Sequence, residues 1–163
     1  GSLGHGLGLS VGIAKAAKLD HKDYHVYTLM GDGEQAEGSV WEAAMAAGSF
    51  QLDNLTAIID HNRLQISGPT EKVMNSEPLV DKYRAFGFDV IEIDGNDMAQ
   101  LVKALETPNT PLRPKLILAD TVKGRGISFA ENRAEWHHKV PTAEQYQQGL
   151  DELDELIGRL QND

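Results

Sequence analysis

The chain has 163 residues, no cysteine and a formal net charge of -10. That length suits one domain, with a core burying roughly 70% of the unfolded surface without cross-links. The missing cysteine excludes disulfides, thiolate metal sites and a cysteine nucleophile. The acidic balance argues against nucleic acid or an anionic membrane as partner, since both need clustered Lys and Arg. No apolar run approaches the ~18 residues of a membrane span, and the first residues lack the pattern of a signal peptide. The expectation is an acidic cytoplasmic domain occupying residues 1–163.

In chain order, the first predicted element is an Ala-rich helix over 9–18. A strand follows at 25–30 (HVYTLM), then a helix over 40–49 with Val40, Ala44 and Ala47 on one face. Strand 55–60 (LTAIID), helix 77–86, strand 89–93 (DVIEI) and helix 98–106 come next. Pro108, Pro111 and Pro114 mark an exposed connection before the last strand, 115–119 (KLILA). The strands are short, rich in branched apolar residues and bounded by polar or Gly residues. Strands alternating with helices imply βαβ units, so the expected fold is α/β: a parallel sheet with helices on both faces. At the end, Tyr146, Leu150, Leu153, Ile157 and Leu160 form one apolar stripe on a helix at about 142–160. Thr142 with Gln145 has the form of a capping box there. This helix is expected to pack on its own domain, with docking on a partner chain as the alternative.

The chemistry concentrates between Gly31 and Gly68. Gly31-Asp32-Gly33 follows directly on a predicted strand, and in an open parallel sheet ligands sit outside the carboxyl ends of the strands. Glycine there allows a tight turn and close approach of the backbone to a ligand. Asp32 offers a hard oxygen suited to magnesium or calcium. Asn62 lies 30 residues on, two positions past the next strand, so one crossover helix would bring both to the same edge. A carboxylate, an amide oxygen and a backbone carbonyl make an incomplete shell of the kind that phosphates and water complete around magnesium. The metal, rather than Lys or Arg, would then neutralise a diphosphate. Alone, GDG is a common strand-end turn. With the spacing to Asn and the glycine-rich flanks it carries far more.

GDGEQAEGSVWEA, DHNRLQISG and the opening GSLGHGLGLSVGIA together resemble the transketolase family of thiamine diphosphate enzymes. The resemblance runs from Gly1 to about Leu160 and implies the thiamine diphosphate-binding fold. It implies that Asp32, Asn62 and the carbonyl of Leu64 hold magnesium or calcium. It also implies that Gly31 and Gly33 meet the diphosphate and that Gly1 and Leu3 line the cofactor. Glu37 and Glu42 match family acids on a proton path between active sites, although carboxylates are favoured at any helix start. Within Trp136-His137-His138-Lys139, His137 matches a family histidine that contacts the diphosphate and the reacting sugar. An imidazole there can shuttle protons. Lys123 and Arg125 have the charge to attract substrate phosphate, or are solvated loop residues. His5, His21, His25 and His61 carry no assignment beyond bulk and polarity.

The resemblance further implies transfer of a two-carbon ketol unit from a ketose to an aldose, with sugar or sugar-phosphate substrates. The family's site lies between two domains, and nothing here offers the pyrimidine-binding one. The chain is therefore expected to be a fragment or a truncated subunit of a split transketolase, inactive alone. Its expected partner is a pyrimidine-binding (C-terminal) subunit or domain, in a dimer or heterotetramer. Deoxyxylulose-phosphate synthase, the E1 component of a ketoacid dehydrogenase and a non-catalytic cofactor-binding subunit are the alternatives. A dinucleotide binder is disfavoured, because Gly4, Gly6 and Gly8 follow no strand and miss the G-x-G-x-x-G spacing.

Overall fold

A computed structural model describes residues 2–161. Four strands form one parallel sheet in the order β1-β2-β6-β5: β1 Val26–Gly31, β2 Leu55–His61, β5 Asp89–Asp94 and β6 Lys115–Asp120. Helix α1 (Gly6–Leu19) precedes the sheet, and α2 (Gly38–Ser49), α4 (Leu79–Ala85) and α5 (Met98–Glu106) lie in the connections between its strands. A two-residue hairpin, β3 Leu64–Gln65 and β4 Gly68–Pro69, with the short helix α3 (Thr70–Val73), fills the passage after β2. The chain ends in α6 (Ala143–Leu160). No helix among the described residues is long and apolar enough to cross a membrane.

The alternation of side chains along each strand decides which face receives which helix. Val26 and Met30, Ala57 and Ile59, and Leu116 and Leu118 turn to one face. There they join Leu7, Val11 and Ala14 of α1, Val40 and Ala44 of α2, and Leu79 and Tyr83 of α4 in a continuous core. The opposite face, carrying Ile117, is covered by α5. Buried Lys115 holds that helix: its Nζ donates to the carbonyl of Ala104 at 3.0 Å and to that of Thr107. A cation at a helix C-terminus meets the orphan carbonyls and the negative end of the dipole. On the same face, the β1 side is bare. Tyr27 is 54% exposed and Leu29 72%.

The structure shifts three expectations. Helix α1 begins at Gly6, earlier than expected, because burial of Leu7 outweighs the poor helix propensity of its glycines. Helix α4 begins at Leu79, later than expected, since a residue before proline, here Glu77, is pushed out of the helical region. Helix α6 has the Thr142–Gln145 capping box, but every residue of its stripe stays exposed, Leu150 and Leu153 least. Gly149 lies over Ile127 and Phe129, and Glu152 accepts from the Ser128 N–H and Oγ at 2.7 and 2.6 Å. Tyr146, Ile157 and Leu160 are the most exposed, and contact with the rest of the domain is confined to the middle of the helix.

Two glycines make opposite predictions. A Cβ on Gly48 of α2 would stand 1.7 Å from the carbonyl oxygen of Phe86, whereas one on Gly12 of α1 meets nothing within 4 Å. Gly48→Ala should destabilise by at least about 1–3 kcal/mol through overpacking. Gly12→Ala should stabilise by about 0.5–1 kcal/mol through helix propensity. Urea unfolding of both variants checks the pair.

Candidate cofactor and metal site

The parallel register places the site. Gly31 pairs with Asp60, and Asp60 and His61 pair with Ala119 and Asp120. The chain leaving β1, β2 and β6 therefore delivers Asp32, Asn62 and Thr121 to one edge of the sheet. After Gly31 the backbone folds into a single 3₁₀ turn, Gly33–Ala36, capped by Asp32, whose Oδ1 accepts the Gly33 N–H at 2.7 Å.

Two residues within that turn, Glu34 and Gln35, tie it to its surroundings. Glu34 Oε1 accepts the Gly4 N–H at 2.8 Å and its Oε2 the Gly31 N–H at 3.3 Å, tying the Leu3-Gly4 segment to the GDG turn. Ser39 Oγ adds a bond to the Gly4 carbonyl at 2.7 Å. Gly4 has φ +80, and a Cβ there would lie 2.9 Å from Glu37 Cβ. Fully buried Gln35 donates to the Gly31 carbonyl at 3.0 Å and accepts the Tyr83 hydroxyl at 2.7 Å. Burial pushes the Tyr83 hydroxyl well above its usual range, so it stays protonated as the donor.

Asp32 is only 3% exposed. Burial raises its carboxyl above the ordinary 3.8, against the N–H groups of Arg63 and Gly33, which lower it. Neighbouring Asp60 pushes in the raising direction too. Each Asp32 oxygen takes one backbone donor, Gly33 N–H on Oδ1 and Arg63 N–H on Oδ2, and retains acceptor capacity. Asn62 Oδ1 accepts the Leu64 N–H at 3.0 Å, and its Nδ2 donates to Asp60 Oδ1 at 3.2 Å. Thr121 Oγ1 donates to the same Asp60 oxygen.

A cleft of about 380 Å³ opens over these groups, lined by Leu3, Gly31, Asp32, Gly33, Asn62 and Leu64 among others. Glu37, Lys123 and His137 also face it. It thus brings together most of the expected site residues. Glu42 does not reach the cleft; it is exposed on α2. Gly1 lies outside the described residues. His137 ends a 3₁₀ turn, Ala134–His137, with its ring 4.9 Å from that of His138. Burial, then Lys123 and His138, lower its pKa below the ordinary 6.5, so neutral imidazole is favoured at pH 7.

The residues fit a metal-bridged diphosphate on two observations. A Cβ on Gly33 would stand 2.9 Å from Gln65 Cβ, so only glycine leaves this backbone accessible from the cleft. Gln65 Oε1, also in the cleft lining, is a buried acceptor with no donor. Among the described residues no three His, Cys, Asp or Glu side chains converge on a metal position. A hard cation here would take one carboxylate, an amide and a carbonyl, with ligand oxygens for the rest. Glu34, Gln35, Tyr83 and Gln65 were not singled out from the sequence. Glu34 and Gln35 stand inside the motif, whereas the Tyr83 contact spans 48 positions and has no local signal.

Comparison with known proteins shows the family. A family model described as the transketolase thiamine diphosphate-binding domain matches residues 1–152. The chain is 51% identical over 164 residues to a subunit of the apulose-4-phosphate transketolase of Phocaeicola vulgatus, covering all of this chain and 58% of that protein. It is 43% identical over 155 residues to a 6-deoxy-6-sulfo-D-fructose transketolase subunit of a Clostridium species, covering 94% of this chain and 56% of the other. Among solved structures, Campylobacter jejuni transketolase superposes with a TM-score of 0.81 at 31% identity. That match covers 91% of this chain and 24% of the other. The chain spans a little over half the length of these two relatives. It belongs to the transketolase family and carries that family's thiamine diphosphate-binding domain.

Proposed function

We propose that this chain, a single domain over residues 1–163, is the diphosphate- and metal-binding part of a split transketolase. The reaction is transfer of a two-carbon ketol unit from a ketose to an aldose. The observation that carries the reading is the meeting of Asp32, Asn62 and Leu64 in one cleft beside the Gly33 backbone. Asp32, the Asn62 side chain and the Leu64 carbonyl would hold magnesium or calcium. Gly31 and Gly33 would face the diphosphate. Thiamine diphosphate, when bound, supplies the carbanion that lets the bond beside a ketose carbonyl break.

This chain's residues bind, orient and move protons. A cation on Asp32 offsets the burial that raises its carboxyl and keeps it ionised. Neutral His137 faces the same cleft with a ring nitrogen free to accept a substrate hydroxyl proton and return it. Glu37, at the start of α2, lies where a proton path from a neighbouring site would enter; Glu42, outside the cleft, would act only at the interface. Lys123 gives the cleft a cation to meet substrate anions. Two relatives bear names specifying a phosphorylated and a sulfonated sugar, which supports a substrate with an anionic end.

A partner follows from the open rim, where Leu3 is 66% exposed and Ile66 54%. A pyrimidine-binding subunit would cover it and complete a site between the two, in a cytoplasmic dimer or heterotetramer. The relative from Phocaeicola vulgatus is itself named as one subunit of a transketolase.

Calorimetric titration of thiamine diphosphate, with and without magnesium and with the pyrimidine-binding partner present, tests the anchor. Binding should require the metal and be lost in Asp32→Ala and Asn62→Ala. Metal-independent binding, or full binding by both variants, would reject the assignment. A second test is electrostatic: in NMR titration His137 should have a midpoint below 6.5. Lys123→Gln should move that midpoint upward, since the lysine charge opposes protonation, and burial should still hold it under the ordinary value. An unmoved midpoint would remove Lys123 from the neighbourhood of the imidazole.

A further inference from the structure

The loop bearing Asn62 and Leu64 is held by more than its own backbone. Arg63, between them, has φ +62, a left-handed conformation that crowds the Cβ of any residue but glycine. In that conformation its N–H meets Asp32 Oδ2. Its side chain reaches Asp120, with Nη2 2.7 Å from Oδ1 and 2.9 Å from Oδ2. Asp120 ends β6 directly opposite His61 in the strand register. His61 Nδ1 lies 2.9 Å from Asp120 Oδ1, near enough for an ion pair but without the alignment of a hydrogen bond. Its Nε2 lies 2.9 Å from Glu77 Oε1, and Glu77 Oε2 accepts the Leu79 N–H at 2.8 Å in the first turn of α4.

These contacts link three loops and a helix start: the ends of β2 and β6, the GDG turn through Asp32, and α4. Arg63, Asp120 and Glu77 are about half exposed, and exposed pairs hold little by themselves. The His61 side chain is only 10% exposed, and a polar ring buried there needs its partners. We propose that His61, with Asp120 and Glu77, is a positioning residue that keeps Arg63 left-handed and so presents Asn62 and Leu64 to the cleft. Its relevance to metal and diphosphate rests on the function proposed above.

The test measures single-amide hydrogen exchange by NMR on this chain, alongside magnesium-dependent thiamine diphosphate binding with the partner present. His61→Leu and Asp120→Asn should each speed exchange at the Arg63 and Leu64 amides at least about tenfold, leaving Ile58 and Ile59 in β2 unchanged. Both should weaken cofactor binding by about 10- to 100-fold, as loss of groups that orient metal ligands does. In an Arg63→Gly background, where positive φ is costless, His61→Leu should add no further loss. A general structural role would instead add its full effect in that background. Unchanged loop exchange in both single variants, or an undiminished effect of His61→Leu when combined with Arg63→Gly, overturns the positioning role. Faster loop exchange in a chain whose wild type binds no cofactor supports the latch and removes the cofactor reading instead.

Discussion

Sealing one carboxylate at the end of a strand constrains everything around it. Asp32 must be ionised to bind a cation, yet its burial favours the protonated form. Two backbone N–H groups oppose that tendency, and each dictates local structure. The Gly33 donor requires the 3₁₀ turn that begins at that residue. The Arg63 donor requires a left-handed residue in the loop after β2. The left-handed residue is not the cheapest geometry for its segment, and both donors meet at the same side chain. Glu34, Gln35 and Tyr83 then brace the turn from behind: Glu34 and Gln35 bond its backbone, and Tyr83 holds Gln35 in place.

A strongly acidic chain and a diphosphate ligand are reconciled by this arrangement. The cleft concentrates Asp32, Glu34, Glu37 and Asp60 against a single lysine, Lys123. Such a lining repels a bare anion and welcomes a divalent cation first. On the function proposed above, anion affinity would depend on a metal already seated, which would order the two binding events. His137 stays neutral at this acidic rim because burial, and then the charges of Lys123 and His138, oppose its protonation.

The sheet was legible in the sequence because its strands are runs of branched apolar residues ended by glycine or polar residues, and all four fall within one or two residues of their expected bounds. The edge that gathers Asp32 and Asn62 followed from strand–helix alternation alone. What stayed hidden depends on contacts between distant positions. Tyr83 meets Gln35 across 48 positions, and His61 reaches Glu77 across 16. His61 read as ordinary bulk because nothing local signals two carboxylates on either side of it. The β3–β4 hairpin was too short for a periodicity to register. Helix α6 misled for the opposite reason: its stripe is clear, but a stripe shows that a face is apolar and not what covers it.

The bare face of β1 has a thermodynamic consequence. Tyr27 and Leu29 expose most of their side chains beside the fully packed opposite face of the same strand. Burying each would release about 1–2 kcal/mol. Any molecule that covers them therefore acts as a ligand for the native state, and the midpoint of unfolding rises with the logarithm of its concentration. With any such molecule present, by mass action, a melting temperature measured on this chain would characterise the mixture and its dilution as much as the sequence.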